Sequence, residues 1–192
     1  MADTRVGSGI FAAAGRTLLV SGALAAIGVA FLFAMFGSFG VGSPSQAQDL
    51  GRVNDILILI SYLLTAPTIV AFGAILRPSG QLLSRIVTVV GLAAIAAIVV
   101  LQLMLITGTL TFEQQVGPVT VALLVLGAWF VVTGRMATSI GFMPNGARMG
   151  LLAATYVGYP IWAFWVGRRF LGWSGVAGRS VPNATGADEA SW

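Results

Sequence analysis

The stretch IVTVVGLAAIAAIVVLQLMLI, residues 86–106, decides the fold class of this chain. It runs for 21 residues without Asp, Glu, Lys or Arg. A hydrocarbon core about 30 Å thick needs about 20 apolar residues of helix, because only hydrogen bonds within the segment satisfy the backbone there. The stretch therefore predicts a membrane-spanning helix.

Four further uncharged stretches, before and after it in the chain, are also long enough to cross the hydrocarbon core as a helix. Together they predict an all-α, polytopic transmembrane helical bundle of about five spans, one domain over residues 1–175. The connection at 38–48 is expected to be a flexible loop, and residues 176–192 a polar, disordered tail. The predicted spans are 17–37, 56–76, 86–106, 116–134 and 149–167.

Composition limits the classes of function. The chain is 57% hydrophobic and 8% charged, against about 25% charged in soluble domains, so its expected surroundings are a lipid bilayer. Its ten basic residues are all arginines scattered at the ends of apolar runs, a pattern that argues against nucleic-acid binding. The sequence has no cysteine and no histidine, which removes thiol nucleophiles, imidazole or thiolate metal sites and Ser-His-Asp triads. We expect no enzyme activity, cofactor or metal site.

Arginine positions predict the orientation. With five spans, six arginines lie on the N-terminal side, and Arg52, Arg168, Arg169 and Arg179 lie on the other. The positive-inside rule then predicts a cytoplasmic N-terminus in a bacterial inner membrane. Arg168 and Arg169 conflict with that rule. The first stretch is expected to be retained, because its apolar core exceeds the usual 7–15 residues of a signal peptide.

A few polar and proline residues stand inside the spans. Pro67 and Pro160 each remove a backbone donor and predict kinks in the second and fifth spans, although prolines are also common in membrane helices without any special role. Gln102 should hydrogen-bond a partner helix, since an unpaired amide is costly in lipid. The candidate polar cluster within the membrane consists of Ser61, Thr65, Gln102 and Tyr159.

Aromatic and basic residues crowd the end of the fifth span. Amphipathic rings settle at the headgroup level, and arginines there can extend their head groups to water. An aromatic cage for a cation is the alternative. The sequence predicts interfacial anchoring by Trp162, Trp165, Arg168, Arg169 and Trp173.

Three segments carry a family resemblance: AFGAILRPSG at 71–80, GAWFVVTGRMATSIGFMPNGARMGLL at 127–152 and YPIWAFWVGRRFL at 159–171. They resemble uncharacterised bacterial multi-spanning membrane proteins of the domain-of-unknown-function kind. The resemblance implies a bacterial inner-membrane setting, and it supplies no activity or site residues for this chain.

Two functions remain open at this point, and a membrane enzyme ranks third behind them. The favoured one is an accessory or structural component of a membrane assembly, with other membrane subunits or further copies of the chain as partners. The alternative is a small-solute transporter or channel that uses the second and fifth spans. A continuous polar cavity between spans would favour transport, and a dry bundle packed on small residues would favour the accessory role.

Overall fold

The described part of the chain forms six α-helices. The computed structural model describes residues 4–40, 43–155 and 157–177, and this part of the chain contains no β-strand. The first four helices are long and apolar enough to cross a membrane, so the chain is an all-α, multi-pass membrane bundle. A 3₁₀ turn at Arg77–Ser79 joins the second helix to the third. The helices are α1 (Thr4–Gly40), α2 (Pro44–Leu76), α3 (Gln81–Ile106), α4 (Phe112–Ser139), α5 (Gly146–Ala153) and α6 (Gly158–Ala177).

The flexible loop predicted at 38–48 is wrong. Helix α1 continues to Gly40 and α2 already begins at Pro44; only residues 41 and 42 of this connection lie outside the described chain. Pro44 suits a first helical position because its missing N–H would have no partner there. The Ser43 N–H donates to the Ser38 carbonyl at 3.0 Å, which closes the turn.

Each helix packs on its neighbours in chain order. Helix α1 packs on α2, α2 on α3, α3 on α4, α4 on α5, and α5 on α6, and α6 returns to α1. Contact between α2 and α4 across the ring is slight. The core therefore lies inside a ring of helices.

The continuous fifth span predicted at 149–167 is wrong, because two helices occupy this region. Helix α5 ends at Ala153 and α6 begins at Gly158. The eight residues of α5 cover about 12 Å, far less than the membrane core. Helix α5 descends along α4: the position of a side chain at Gly150 would lie 2.7 Å from the Phe130 carbonyl carbon, and that at Gly127 would lie 3.2 Å from Ala154.

Helix α6 then turns back instead of continuing across. Its first turn lies beside the middle of α1, where Gly22 faces Ala163 and the Pro160 carbonyl. Its later residues lie beside the start of α1, where Gly15 faces Leu171. Helices α5 and α6 thus form a re-entrant hairpin, whose tip carries Ala154, Thr155 and Val157.

This hairpin corrects the expected position of Arg168 and Arg169. They follow Gly167, which approaches the Gly15 carbonyl, so they lie at the same end of the bundle as Arg16. The conflict that a five-span arrangement creates is therefore absent. We call this the arginine-rich end; it carries Arg16, Arg77, Arg85, Arg135, Arg148, Arg168 and Arg169.

Local chemistry explains the break at the tip. The Thr155 hydroxyl donates to the Leu152 carbonyl at 2.7 Å and accepts the Gly158 N–H at 2.9 Å. Thr155 therefore ends α5 and caps α6 with one side chain. A side chain at Gly158 would lie 2.7 Å from Leu152 Cγ, so only glycine fits. Pro160, the third residue of α6, lies in its first turn, and the mid-span kink predicted there is wrong.

Candidate functional site

Three hydroxyl groups and the backbone carbonyl of Ser61 meet where the hairpin tip reaches α1 and α2. The Tyr159 hydroxyl lies 2.6 Å from Ser21 Oγ and also contacts Thr65 Oγ1. Ser21 donates to the Ser61 carbonyl at 2.8 Å, and Thr65 donates to the same carbonyl at 2.9 Å. All four residues are buried. We call Ser21, Ser61, Thr65 and Tyr159 the hydroxyl cluster.

The protons of this cluster can be counted. Ser21 and Thr65 each use their single O–H on the Ser61 carbonyl, so in this arrangement the Tyr159 O–H can satisfy only one of its two neighbours. The Ser61 hydroxyl donates elsewhere, to the Leu57 carbonyl at 2.7 Å. The Ser61 hydroxyl oxygen keeps lone pairs and can accept a further hydrogen bond.

The hydroxyl cluster lies near the middle of the membrane. On α2, Asp55 and Arg77 mark the two charged ends of the apolar stretch, and roughly 33 Å of helix separates them. That length matches a hydrocarbon core of about 30 Å. Thr65 lies about 15 Å from Asp55 and about 18 Å from Arg77 along this helix. The hairpin tip thus brings non-helical backbone and hydroxyls to mid-membrane depth.

A cavity of about 200 Å³ adjoins the cluster. Ser61 and Tyr159 belong to both, and the hairpin tip contributes Ala154 and Thr155, both exposed. The described residues of its wall carry hydroxyls, peptide groups and apolar side chains, but no charge. The lining consists of Ala25, Ile58, Ser61, Tyr62, Leu123, Leu126, Gly127, Phe130, Ala153, Ala154, Thr155 and Tyr159.

Packed aromatic rings close the bundle on the arginine-rich side of this cavity. Phe130 lines the cavity and meets Trp162 with ring centroids 4.5 Å apart. Phe72 joins Trp129 at 5.7 Å and Phe170 at 5.3 Å. Each of these rings is at most 3% exposed, which leaves no aqueous path through them. We call Phe72, Trp129, Phe130, Phe142, Trp162 and Phe170 the aromatic plug.

Gln102 belongs to a different cluster, so its predicted association with Tyr159 is wrong. The Gln115 side chain of α4 donates to Gln102 Oε1 at 2.9 Å. The Gln102 side chain is in turn hydrogen-bonded to Asp55 of α2. The partner-helix hydrogen bond expected for Gln102 is therefore present, and it links α2, α3 and α4. We call Asp55, Gln102 and Gln115 the glutamine cluster; it lies toward the end opposite the arginines.

The five residues predicted to anchor the chain at the interface lie in two different places. Trp162 is 1% exposed and belongs to the aromatic plug, so its predicted interfacial role is wrong. Trp165 is half-buried and lies 5.8 Å below the Arg169 guanidinium, while Trp173 and Arg168 are exposed at the arginine-rich end. Anchoring by these four residues stays a prediction.

Pro67 lies inside α2, which continues to Leu76. Next to it, the Thr68 hydroxyl is the one buried side-chain polar atom in the described chain without a hydrogen-bond partner. The bounds of α2 do not test the kink predicted at Pro67, which stays a prediction.

Sequence reasoning missed Ser21, Gln115 and Asp55. Ser21 lies one turn after Thr17, whose hydroxyl bonds its own helix, and nothing in the sequence separates Ser21 from a serine that does the same. Gln115 and Asp55 fall just outside the predicted spans 116–134 and 56–76. The sequence could have predicted this pair, because Gln102 needs a polar partner inside the membrane. An amide or a carboxylate at the end of a neighbouring span can supply it when it lies at the same depth as Gln102.

Comparisons of the chain with known proteins return no match. No protein-family model matches it, and neither a curated protein nor a solved structure does so. In the described residues, no three Asp or Glu side chains come together as metal ligands. The features of the described chain that bear on function are the cavity, the two polar clusters and the aromatic plug.

Proposed function

We propose that this protein binds a small solute in the mid-membrane cavity and moves it as a transporter. The observation that carries the proposal is the position of the cavity at the tip of a re-entrant hairpin. Discontinuous helices that meet near the midplane are a recurring way to build membrane solute sites, since their unpaired backbone and nearby side chains can contact a ligand. Irregular backbone at this depth needs protein or a water-filled cavity around it.

The cavity is closed on one side only. The aromatic plug fills the ring of helices toward the arginine-rich end. Toward the opposite end, α5 and α6 have ended, and α1 and α4 have no extensive contact in the described chain. Ala154, Thr155 and Leu123 are exposed on this side. This is the shape expected of a state open to one side, with release on the other side requiring rearrangement of the plug.

The arginine-rich end supports an orientation. Arg52 is the one described arginine at the opposite end. By the positive-inside rule the arginine-rich end, with the N-terminus, faces the cytoplasm. We therefore place the protein in a bacterial inner membrane, as the resemblance to uncharacterised bacterial membrane proteins also implies, with its cavity open to the outside.

Water access to the cavity tests this function. A thiol reacts as its thiolate, which does not form in hydrocarbon. The chain contains no cysteine, so single cysteines give a clean background. We expect Ala154→Cys, at the cavity, to react with iodoacetamide in proteoliposomes.

Ala128→Cys is the matched control. Ala128 follows Gly127, which lies beside Ala154, and it is exposed without lining the cavity. It should stay unreactive because lipid surrounds it. Equal, low reactivity of both variants would mean that water does not reach the cavity, and the transport proposal would then be wrong.

An accessory or structural subunit is the second candidate function. Ala26, Ala30 and Ala34 lie four residues apart on α1 and are exposed, so a partner helix could approach closely there. Copurification in mild detergent tests this role. Recovery of the chain alone as a monomer would contradict it, whereas stoichiometric recovery with another membrane subunit would support it.

A further inference from the structure

From the cavity wall we infer the substrate class: an uncharged, compact molecule with an apolar body and one hydroxyl or similar hydrogen-bonding group. This inference rests on the proposed solute site and adds the chemistry of its occupant. It depends on three features of the cavity: the absence of charge in its described wall, the presence of both polar and apolar lining, and its size.

The wall excludes ions. None of the described lining residues is charged, and the nearest acid on this face of α2, Asp55, is already hydrogen-bonded to Gln102. An ion at this depth would lose its hydration without meeting an opposite charge, which costs several kcal/mol or more. A neutral molecule has no such penalty.

The helix ends at the tip do not supply a net charge either. The C-terminus of α5 and the N-terminus of α6 meet there, and their partial charges have opposite signs. Thr155 further satisfies groups on both sides of the break. The tip therefore presents a local dipole and favours a ligand that both donates and accepts hydrogen bonds.

The wall carries both polar and apolar groups. Ser61 and Tyr159 come from the hydroxyl cluster, and the Ser61 hydroxyl can accept a further hydrogen bond. Ile58, Leu123 and Leu126 line the cavity with aliphatic carbon. A ligand that matches both kinds of group places a hydroxyl at the cluster and an apolar body between α2 and α4.

The volume sets the size. About 200 Å³ corresponds to roughly seven non-hydrogen atoms at the ~30 Å³ that a water molecule occupies in the liquid. Benzyl alcohol is a suitable probe of this size. Benzylammonium and benzoate have nearly the same shape with opposite charges, and toluene lacks the hydroxyl.

Equilibrium dialysis of radiolabelled probes against the protein in lipid nanodiscs tests the inference. Ala25→Leu fills the cavity from α1, because Ala25 lines it. Ala26→Leu is the matched control, since Ala26 is exposed outside the cavity. Comparing these variants removes the partition of each probe into the lipid itself.

We expect saturable binding of benzyl alcohol to the native chain and to Ala26→Leu, and binding weaker by about tenfold or more to Ala25→Leu. Saturable binding of benzoate or benzylammonium as tight as that of the alcohol would overturn the inference. So would toluene binding as tightly as the alcohol, or equal binding of the alcohol to both leucine variants.

The outcome is separable from that of the transport proposal. Benzyl alcohol can bind a cavity that iodoacetamide shows to be dry; the substrate class would then stand and transport through water would fail. A cavity that is open to water but prefers a charged probe would give the reverse result.

Discussion

Replacing Gly150 by alanine tests the re-entrant hairpin most directly. Gly150 is buried where α5 lies against α4. The new Cβ would lie 2.7 Å from the Phe130 carbonyl carbon and 3.0 Å from Val131 Cα. Both are backbone atoms, so no side-chain rotation can make room. Carbon atoms pack at about 3.5–4.0 Å, so α5 would have to retreat from α4 by roughly 1 Å.

The magnitude follows from two opposing terms. Overpacking of a membrane or soluble core costs about 1–3 kcal/mol, and more where the backbone has to move. Alanine in place of glycine inside a helix stabilises the helix by up to about 1 kcal/mol and so offsets part of this cost. We therefore expect Gly150→Ala to lower the free energy of unfolding by about 2 kcal/mol.

Gly117→Ala is the control, because a side chain at Gly117 in α4 meets nothing within 4 Å. It should be neutral or slightly stabilising. Equilibrium unfolding of both variants in mixed detergent micelles gives the comparison. If Gly150→Ala proves as stable as Gly117→Ala, α5 does not lie on α4 at this depth and the hairpin is incorrectly placed.

Three further predictions concern topology and the two polar clusters. Gly141→Cys and Gly172→Cys should react with a membrane-impermeant thiol reagent added to one side of the membrane, and Thr109→Cys should react only from the other side. If Gly172→Cys instead reacts from the same side as Thr109→Cys, the chain has a fifth complete span. Gln102→Leu should lower the free energy of unfolding by about 1–3 kcal/mol because it leaves Gln115 and Asp55 without their partner. Adding Gln115→Leu should recover part of this loss. If the second substitution instead lowers the free energy of unfolding again by the same amount, the two glutamines are not paired. Tyr159→Phe should cost about 1 kcal/mol, as Ser21 and Thr65 keep their donation to the Ser61 carbonyl; a thermal shift in detergent measures it, and a loss as large as that of Tyr159→Ala would mean that the hydroxyl carries the whole role of the ring.

The hydroxyl cluster shows how far sequence reasoning reaches toward the site. Ser61, Thr65 and Tyr159 are identifiable because each is a polar group in a stretch that otherwise fits lipid, where polar groups need partners. Which partners they find depends on the relative depth of three helices. Gln102 obeys the same rule and yet pairs with Gln115 and Asp55, because its own depth in α3 matches theirs.

Trp162 illustrates the opposite error. Tryptophans near the end of an apolar helix usually lie at an interface, and Trp162 lies three residues from Trp165. The hairpin turns α6 back toward the arginine-rich end, so Trp162 lies near mid-membrane and faces Phe130. In a helix that crossed the membrane completely, the same tryptophans would lie at the interface and anchor it.

Membrane residence and helical class follow from residues 86–106 and the other uncharged stretches, because the lipid solvent forces each apolar segment to satisfy its own backbone. That constraint is local, and the linear chain contains it. The break at Thr155 and Gly158 is different: an apolar stretch of suitable length fits both a complete span and a re-entrant hairpin. Packing of Gly150 on α4 and of Gly167 on α1 selects the hairpin, since these contacts join residues distant in the chain, and the cavity at its tip exists only as a consequence of that choice.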